Sequence, residues 1–276
     1  MAKRKLHDKR ILLTGASSGI GYALAVQLAS LGNRLLVVAR REQRLKDLVH
    51  ATVDLPGSIE YLSGDLTDPE FRGSMVTWIQ DEWSGTLDVL INNAGIGSIQ
   101  SFSKSSAEHV RKIMEVNFFA PLELIRGHLH QLRSGIQPVI CNIGSVLGHV
   151  ALPGKSEYCA SKFALHGFSD ALRAELSAEQ IDVVLVSPST TRSEFFTSVL
   201  AGAKEQPSSR AMAADVVARK TVKAIEKGQR ETILSWKARM GIWQDRFFPT
   251  WLSNQLGRWY QRQNQLPQNN ERNTDD

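Results

Sequence analysis

A short aliphatic run, Ile11-Leu12-Leu13, leads directly into Thr14-Gly15-Ala16-Ser17-Ser18-Gly19-Ile20-Gly21, and Ala23, Leu24, Val26, Gln27 and Leu28 then follow at helical spacing up to Gly32. A strand that passes through a glycine-rich turn into a helix leaves few folds open, because the turn must bring backbone close to whatever lies above the strand end. The alternation continues. Strands are expected at Leu35–Val38, Ile59–Leu62, Leu87–Ile91, Val139–Ile143 and Ile181–Val186. Helices are expected at Pro69–Trp83, around Ala107–Leu132, from about Tyr158 to Leu176 and from about Ala213 to Lys227. Short apolar strands alternating with helices point to an α/β fold, a doubly wound parallel sheet covered on both faces. No internal repeat is visible.

The 276 residues suffice for one large core, and the formal charge of +5 suits an anionic partner such as a nucleotide phosphate, an acidic lipid surface or nucleic acid. No nucleic-acid recognition motif or basic-aromatic platform occurs in the core, so no nucleic acid is expected. The basic start is not followed by an apolar stretch of leader type, and the longest apolar run, Ile11 to Ala39, is broken by Gly15, Ser17, Gly19, Gly21, Ser30, Gly32 and Arg34. A cytoplasmic location, with a membrane surface as a peripheral option, is the expectation. Cys141 and Cys159 lack the paired spacing of zinc ligands and read as structural thiols, so no metal is expected.

Glycines in such a turn let the chain approach a pyrophosphate, whose charge meets the amides at a helix N-terminus. The spacing here, Gly15, Gly19 and Gly21, resembles the short-chain dehydrogenase/reductase family. The resemblance continues in the family's order through Asp65, Asn92-Asn93-Ala94-Gly95, Asn117, Ser145, Tyr158 and Lys162, over roughly residues 9 to 195. It implies a Rossmann-type sheet of about seven strands and a nicotinamide cofactor used to oxidise alcohols or reduce carbonyls. It also implies a catalytic set of Asn117, Ser145, Tyr158 and Lys162. Cofactor contacts would come from Gly15, Ser17, Ser18, Gly19, Ile20, Gly21, Asp65, Leu66, Asn93, Ala94, Gly95, Tyr158, Lys162, Pro188, Thr191 and Ser193. Asp65 would hydrogen-bond the adenine, Asn92 to Gly95 would wall the adenosine side, though an Asn-Asn-Ala-Gly turn also reads as purely structural, and Asn117 would hold a helix kink and a water leading to Lys162. Taken alone, Asp65 also reads as an Asx turn before Pro69, and Asn117 as an ordinary capping or core residue.

Tyr158 and Lys162 are four residues apart on a helix and share one face, so an ammonium there favours phenolate over a phenol that starts near ~10. Ser145 follows the strand Val139–Ile143 at the sheet's carboxyl edge, where its hydroxyl can meet developing charge on a substrate oxygen. The ribose selector belongs at the end of the second strand, in Val37-Val38-Ala39-Arg40-Arg41-Glu42. Ala39 offers no carboxylate for a ribose diol, whereas Arg40 can grip a 2′-phosphate bidentately, which favours NADP(H). Glu42 reads as the opening of the next helix. The chain departs from the family in Ser187-Pro188-Ser189-Thr190-Thr191-Arg192-Ser193, where Ser189 replaces the usual Gly after Pro. Phe195, Phe196, Val199 and Leu200 hold the place of the family's substrate lid and suggest a hydrophobic substrate; a helix core is the other reading.

Four of the six tryptophans fall late in the chain: Trp236, Trp243, Trp251 and Trp259. Trp236, Met240, Trp243 and Phe247 form one helical stripe, and after Pro249 the residues Leu252, Leu256 and Trp259 begin another. Lys237, Arg239, Arg246, Arg258 and Arg262 face Asp245 alone, so the segment is basic and aromatic, as an interfacial anchor would be; packing on the domain, over the cleft or in a dimer is the alternative. The expected organisation is a catalytic domain at 1–232, a helical extension at 233–262 and a disordered polar tail at 263–276. The chain reads as an NADPH-dependent oxidoreductase acting on a small-molecule carbonyl or alcohol, as a homodimer or homotetramer. A nonenzymatic NADP-binding regulator or scaffold is the rival, with a sugar-nucleotide epimerase or dehydratase less favoured.

Overall fold

The computed structural model describes residues 4–192 and 211–265. Its sheet is built from β1 (Arg10–Thr14), β2 (Arg34–Ala39), β3 (Ser58–Ser63), β4 (Val89–Asn92), β5 (Val139–Ile143), β6 (Asp182–Ser187) and β9 (Glu231–Ile233), in the order β3-β2-β1-β4-β5-β6-β9. Every pairing is parallel. A separate two-stranded pair joins β7 (Thr191–Arg192) to β8 (Met212–Ala213). The connections run outward from β1 in one direction and from β4 in the other, so the chain reverses between these strands, and a crevice opens at their carboxyl ends.

Aliphatic side chains on both faces of each strand explain the layering, since successive residues point to opposite sides. Leu13, Val37 and Val186 bury against α1 (Gly19–Ser30), α2 (Glu42–Ala51) and α7 (Ala214–Lys227) on one face. Leu12, Leu36 and Ile140 bury on the other, against α3 (Pro69–Glu82), α5 (Ala120–Arg133) and α6 (Ser156–Glu175). Each such residue contributes roughly 1.5–3 kcal/mol through burial.

Local signals place most boundaries. α3 starts where Asp68 accepts from the Glu70 amide at 2.9 Å and Pro69 takes the first helical position. α2 opens at Glu42, as the acid there suggests. Two expectations need correcting. The helix expected across Ala107–Leu132 is two helices, α4 (Ala107–Met114) and α5, joined by a π-helical turn at Glu115–Phe119. β4 starts at Val89 instead of Leu87, because the Asp88 carboxylate takes the amides of Arg10 (2.8 Å) and Ile136 (2.7 Å) at that level.

At the C-terminus α8 (Trp236–Phe247) and α9 (Pro249–Gln265) form the expected helix, break, helix, with Ser235 capping the first through the Ala238 amide. Two boundaries of the expected organisation fall inside elements: β9 runs across 232/233, and α9 reaches Gln265, inside the segment expected to be a disordered tail. Among the described residues no helix is long and apolar enough to cross a membrane.

Candidate active site

The crevice is a cavity of about 500 Å³. Its floor is the glycine turn. Gly15 sits at φ +72°, and a Cβ there would lie 2.8 Å from the Ala94 Cα; one on Gly21 would lie 2.2 Å from the Gly15 carbonyl oxygen. Only glycine fits either place. Asn93 ties the turn to β4: its Nδ2 donates to the carbonyls of Thr14 (2.9 Å) and Gly15 (3.1 Å), while the Thr14 hydroxyl accepts from the amides of Asn93 and Ala94. Of the expected wall Asn92 to Gly95, Asn93, Ala94 and Gly95 lie on the cavity lining, whereas Asn92 is buried in β4 with its Nδ2 donating to Asn142 Oδ1 at 2.9 Å.

At the far end of β2, Arg40 and Arg41 both line the cavity. The residue that turns into the glycine loop is Arg41, which sequence reasoning passed over as selector. Its Nε and Nη2 donate to Ser17 Oγ at 3.2 and 3.1 Å, and Nη2 also donates to Ser18 Oγ at 2.8 Å. Two adjacent arginines carry the same signal in sequence, and only the path of the loop separates them. Asp65 Oδ1 accepts from the Thr67 amide and hydroxyl, both at 2.9 Å, so its Asx turn is real while the residue and Leu66 also line the cavity. Burial works against the Asp65 charge, but those Thr67 hydrogen bonds outweigh it and hold the carboxyl below its usual range.

On the opposite wall, β5 and α6 bring Ser145, Tyr158 and Lys162 to one side of the cavity. Ser145 lies beside the Tyr158 hydroxyl, where it favours the phenolate. Ser145 Oγ also accepts from the Leu147 amide at 3.1 Å, which fixes the hydroxyl at the mouth of β5. Lys162 is buried; its Nζ donates to the Ile143 carbonyl at 3.0 Å and lies 5.9 Å from the centre of the Tyr158 ring. In the chain by itself burial dominates both groups, pushing the phenol up to about 12 and the ammonium down to about 8. The depression of Tyr158 expected from the i, i+4 pairing is therefore absent in the chain alone, because desolvation of the phenol exceeds the help from Ser145.

Asn117 lies in the π-helical turn, buried, with its side chain directed back into the loop after β4. Its Oδ1 accepts from the Ile96 amide at 2.8 Å, and its Nδ2 donates to the Ile96 carbonyl and to Ser161 Oγ, both at 3.0 Å. Such a side chain substitutes for the backbone pairing lost at the wide turn. A Cβ on Gly95 would stand 3.2 Å from Asn117 Oδ1 and 3.7 Å from Lys162 Nζ, so glycine brings these two polar groups close to each other. Pro188 and Thr191 line the cavity too, with the Pro188 carbonyl accepting from the Val146 amide at 3.0 Å. Ser193 and the lid candidates Phe195, Phe196, Val199 and Leu200 lie outside the described residues. Lining residues that sequence reasoning did not single out include Ile96, Ile99, Val116, Val146, Leu147 and Leu152. They sit in loops or on a helix face with no local pattern to mark them.

A doubly wound parallel sheet with a glycine-floored cavity at its switch point defines a Rossmann-type nucleotide-binding protein. The particular family follows from comparison with known proteins. A family model described as short chain dehydrogenase matches residues 9–204, and the chain belongs to that family of oxidoreductases. It is 38% identical over 206 residues to a "Dehydrogenase/reductase SDR family protein 7-like" of Anopheles gambiae, covering 72% of this chain and 64% of that protein. The protein of the same description from Drosophila melanogaster is 31% identical over 243 residues, covering 84% and 74%. The chain thus spans under two thirds of the length of the mosquito relative. Among solved structures, a short-chain dehydrogenase from Sphingobium yanoikuyae in complex with NADPH matches at 29% identity with a TM-score of 0.74, covering 84% of this chain and 91% of that one.

Proposed function

We propose that the chain is an NADPH-dependent oxidoreductase that interconverts a carbonyl and an alcohol on a hydrophobic substrate. The observation that carries this reading is the convergence of Ser145, Tyr158 and Lys162 on one wall of the cavity, with Lys162 buried one helical turn from Tyr158. When bound, the cofactor supplies the hydride. Ser145 Oγ and the Tyr158 hydroxyl together hold the substrate oxygen, and Tyr158 hands it a proton. A phenol held protonated by burial is an acid, which suits reduction. Lys162, brought down only to about 8, keeps its charge at neutral pH and stabilises the phenolate left behind. Asn117 sets the loop at Ile96 and so holds Gly95 close beside Lys162.

NADPH is favoured over NADH by two arginines and no carboxylate at the end of β2. Ile99, Val116, Val146, Leu147 and Leu152 give the substrate side of the cavity an apolar lining. The intact Ser-Tyr-Lys set gives a nonenzymatic role no support. Self-association as a dimer or tetramer belongs to this reading, with exposed Phe119 and Phe163 as apolar side chains open to it, and light scattering would register it. The aromatic extension contributes a peripheral membrane surface.

The test is loss of NADPH absorbance against a panel of aliphatic, aromatic, steroid and sugar-derived carbonyls, run on the wild type and on Tyr158→Phe. The variant should lose turnover while its cofactor affinity stays within a few-fold, since it deletes the proton and little surface. Turnover near wild type in Tyr158→Phe would overturn the assignment.

A further inference from the structure

Away from the cofactor cavity, three elements bring His149, His166 and Glu231 together. His149 follows the short turn after Ser145, His166 is four residues beyond Lys162 on α6, and Glu231 opens β9. One donor atom from each lies within 4.8 Å of the others. His149 Nε2 is 3.1 Å and His166 Nε2 3.8 Å from the same carboxylate oxygen, Glu231 Oε1. No spacing in the sequence announces this set, because its members meet only where the turn after Ser145 packs on α6 and β9 packs beside β6.

The hydrogen bonds around the cluster fix how the rings are presented. His166 Nδ1 lies 3.1 Å from the Gly148 carbonyl, which can only accept, so this nitrogen carries the ring hydrogen. In the neutral ring Nε2 then turns a bare lone pair toward two carboxylates, Glu231 at 3.8 Å and Asp170 at 3.6 Å. Such an arrangement is repulsive until a cation sits within it. A ring N–H anchored on a backbone carbonyl, with the second nitrogen free, is also how metal-ligating histidines are held. His149 Nε2 also lies 2.9 Å from Ser187 Oγ, a hydroxyl that can turn its hydrogen toward the ring nitrogen and so leave the Glu231 side to a cation. Asp170 is already engaged by Arg173 at 2.6 Å and Arg230 at 3.1 Å, which leaves three protein donors.

We propose that His149, His166 and Glu231 form a binding site for a divalent cation of the zinc type, with water in the fourth position. Zinc bonds of ~2.0–2.2 Å put tetrahedral donor atoms roughly 3.3–3.6 Å apart, a span the observed separations bracket. Two imidazoles and one carboxylate select zinc, cobalt or nickel over magnesium or calcium, which prefer oxygen. The cation would pin together the loop that follows Ser145, the helix that carries Tyr158 and Lys162, and the last strand of the sheet. Gly148 already lies so close to α6 that a Cβ on it would stand 2.7 Å from the Lys162 carbonyl oxygen. Occupancy thus stiffens the wall on which the serine and lysine sit, and the site stands whatever substrate the cavity takes.

The experiment uses the full chain without an affinity tag, stripped with chelator, and titrated with zinc chloride alone by calorimetry and with cobalt(II) followed by visible absorbance. One equivalent should bind, cobalt should give the intense bands of a tetrahedral site, and zinc should raise the thermal midpoint. His166→Ala and Glu231→Gln should each weaken binding about 10- to 100-fold while retaining the circular dichroism spectrum and NADPH binding of the parent. The double variant His149→Ala/His166→Ala should lose the zinc-dependent rise in midpoint. No stoichiometric uptake would overturn the proposal. So would an affinity unchanged in the variants, which would locate binding at exposed histidines such as His7 or His130, or the absence of tetrahedral cobalt bands, which would leave a proton as what holds the cluster.

Discussion

Tyr158 and Lys162 respond to burial in opposite senses, and each response is measurable. Lys162 drops from its usual 10.5 to about 8, so the fold disfavours the charged amine. Between those values the unfolded chain holds a proton that the folded chain has released, and stability from this group rises with pH across that window. Lys162→Met removes the slope, although it also leaves the Ile143 carbonyl without its donor. The gap in unfolding free energy between wild type and variant should therefore shift by on the order of 2 kcal/mol between pH ~7 and ~9.5, read by urea denaturation without cofactor. A constant gap would show that Lys162 titrates as an exposed lysine does. The two arginines can be separated in the same quantitative way. Arg41 already donates to Ser17 and Ser18, so Arg41→Ala should weaken NADPH by about 1.5–3 kcal/mol more than NADH, and Arg40→Ala should show a selective loss of its own. Fluorescence titration of both cofactors decides it, and equal losses for NADPH and NADH in both variants would remove the 2′-phosphate reading.

Elements are held at the base of the sheet by Asp88, which is almost completely buried between β1 and β5. Its carboxylate accepts from the Arg10 amide, from Arg10 Nε at 2.9 Å and Nη2 at 3.2 Å, and from the Ile136 amide. Burial opposes the charge, but these donors outweigh it and hold the carboxyl below its usual value. A carboxylate with a lowered folded value contributes stability that is full above ~4 and is lost as the pH falls through the folded value. Asp88→Asn should cost about 3 kcal/mol at neutral pH, with the difference from wild type closing in acid, as denaturant midpoints across a pH series would show. A gap independent of pH would mean that shape, not charge, fixes the junction. The π-helical turn illustrates a different relation between sequence and element. Ala107 to Leu132 carries one helical periodicity, and the break depends on an Asn117 side chain that finds its partners at Ile96, a residue distant in sequence.

For the whole molecule, the extension is the unbalanced part. Trp236, Met240, Trp243, Phe247, Phe248, Trp251 and Trp259 are each between 45% and 66% exposed, an apolar surface larger than scattered side chains would make. Tyr260 of α9 comes up to Gly154, in the loop whose Leu152 and Lys155 line the cavity, so the helix pair is seated beside the cavity mouth. With Lys237, Arg239, Arg246, Arg258 and Arg262 against Asp245, the segment suits an anionic bilayer surface. The full chain should co-sediment with vesicles containing anionic lipid at low salt and release as ionic strength rises. Trp243→Ser with Phe247→Ser should abolish that binding without loss of fold. Sedimentation of the protein as a stable dimer, with no vesicle binding at low salt, would assign the surface to a second copy of the chain.

The sequence by itself determined what depends on neighbours along the chain. The strand-glycine-helix passage, the alternation that demands a parallel sheet, the helix start at Pro69, the i, i+4 placement of Tyr158 and Lys162, and the break at Pro249 are all written in local periodicity and turn chemistry. Tertiary structure decided what depends on residues far apart in the chain: which of two adjacent arginines enters the glycine loop, where the helix after Ala107 breaks, and that Glu231–Ile233 joins β6 to close the sheet. It also brought His149 and His166 to Glu231. The Tyr158 phenol shows the reason most directly, since its neighbour four residues on argues for a lowered value. Enclosure by the folded protein raises it instead, and desolvation is a property of everything packed around a group, which no local stretch of sequence contains.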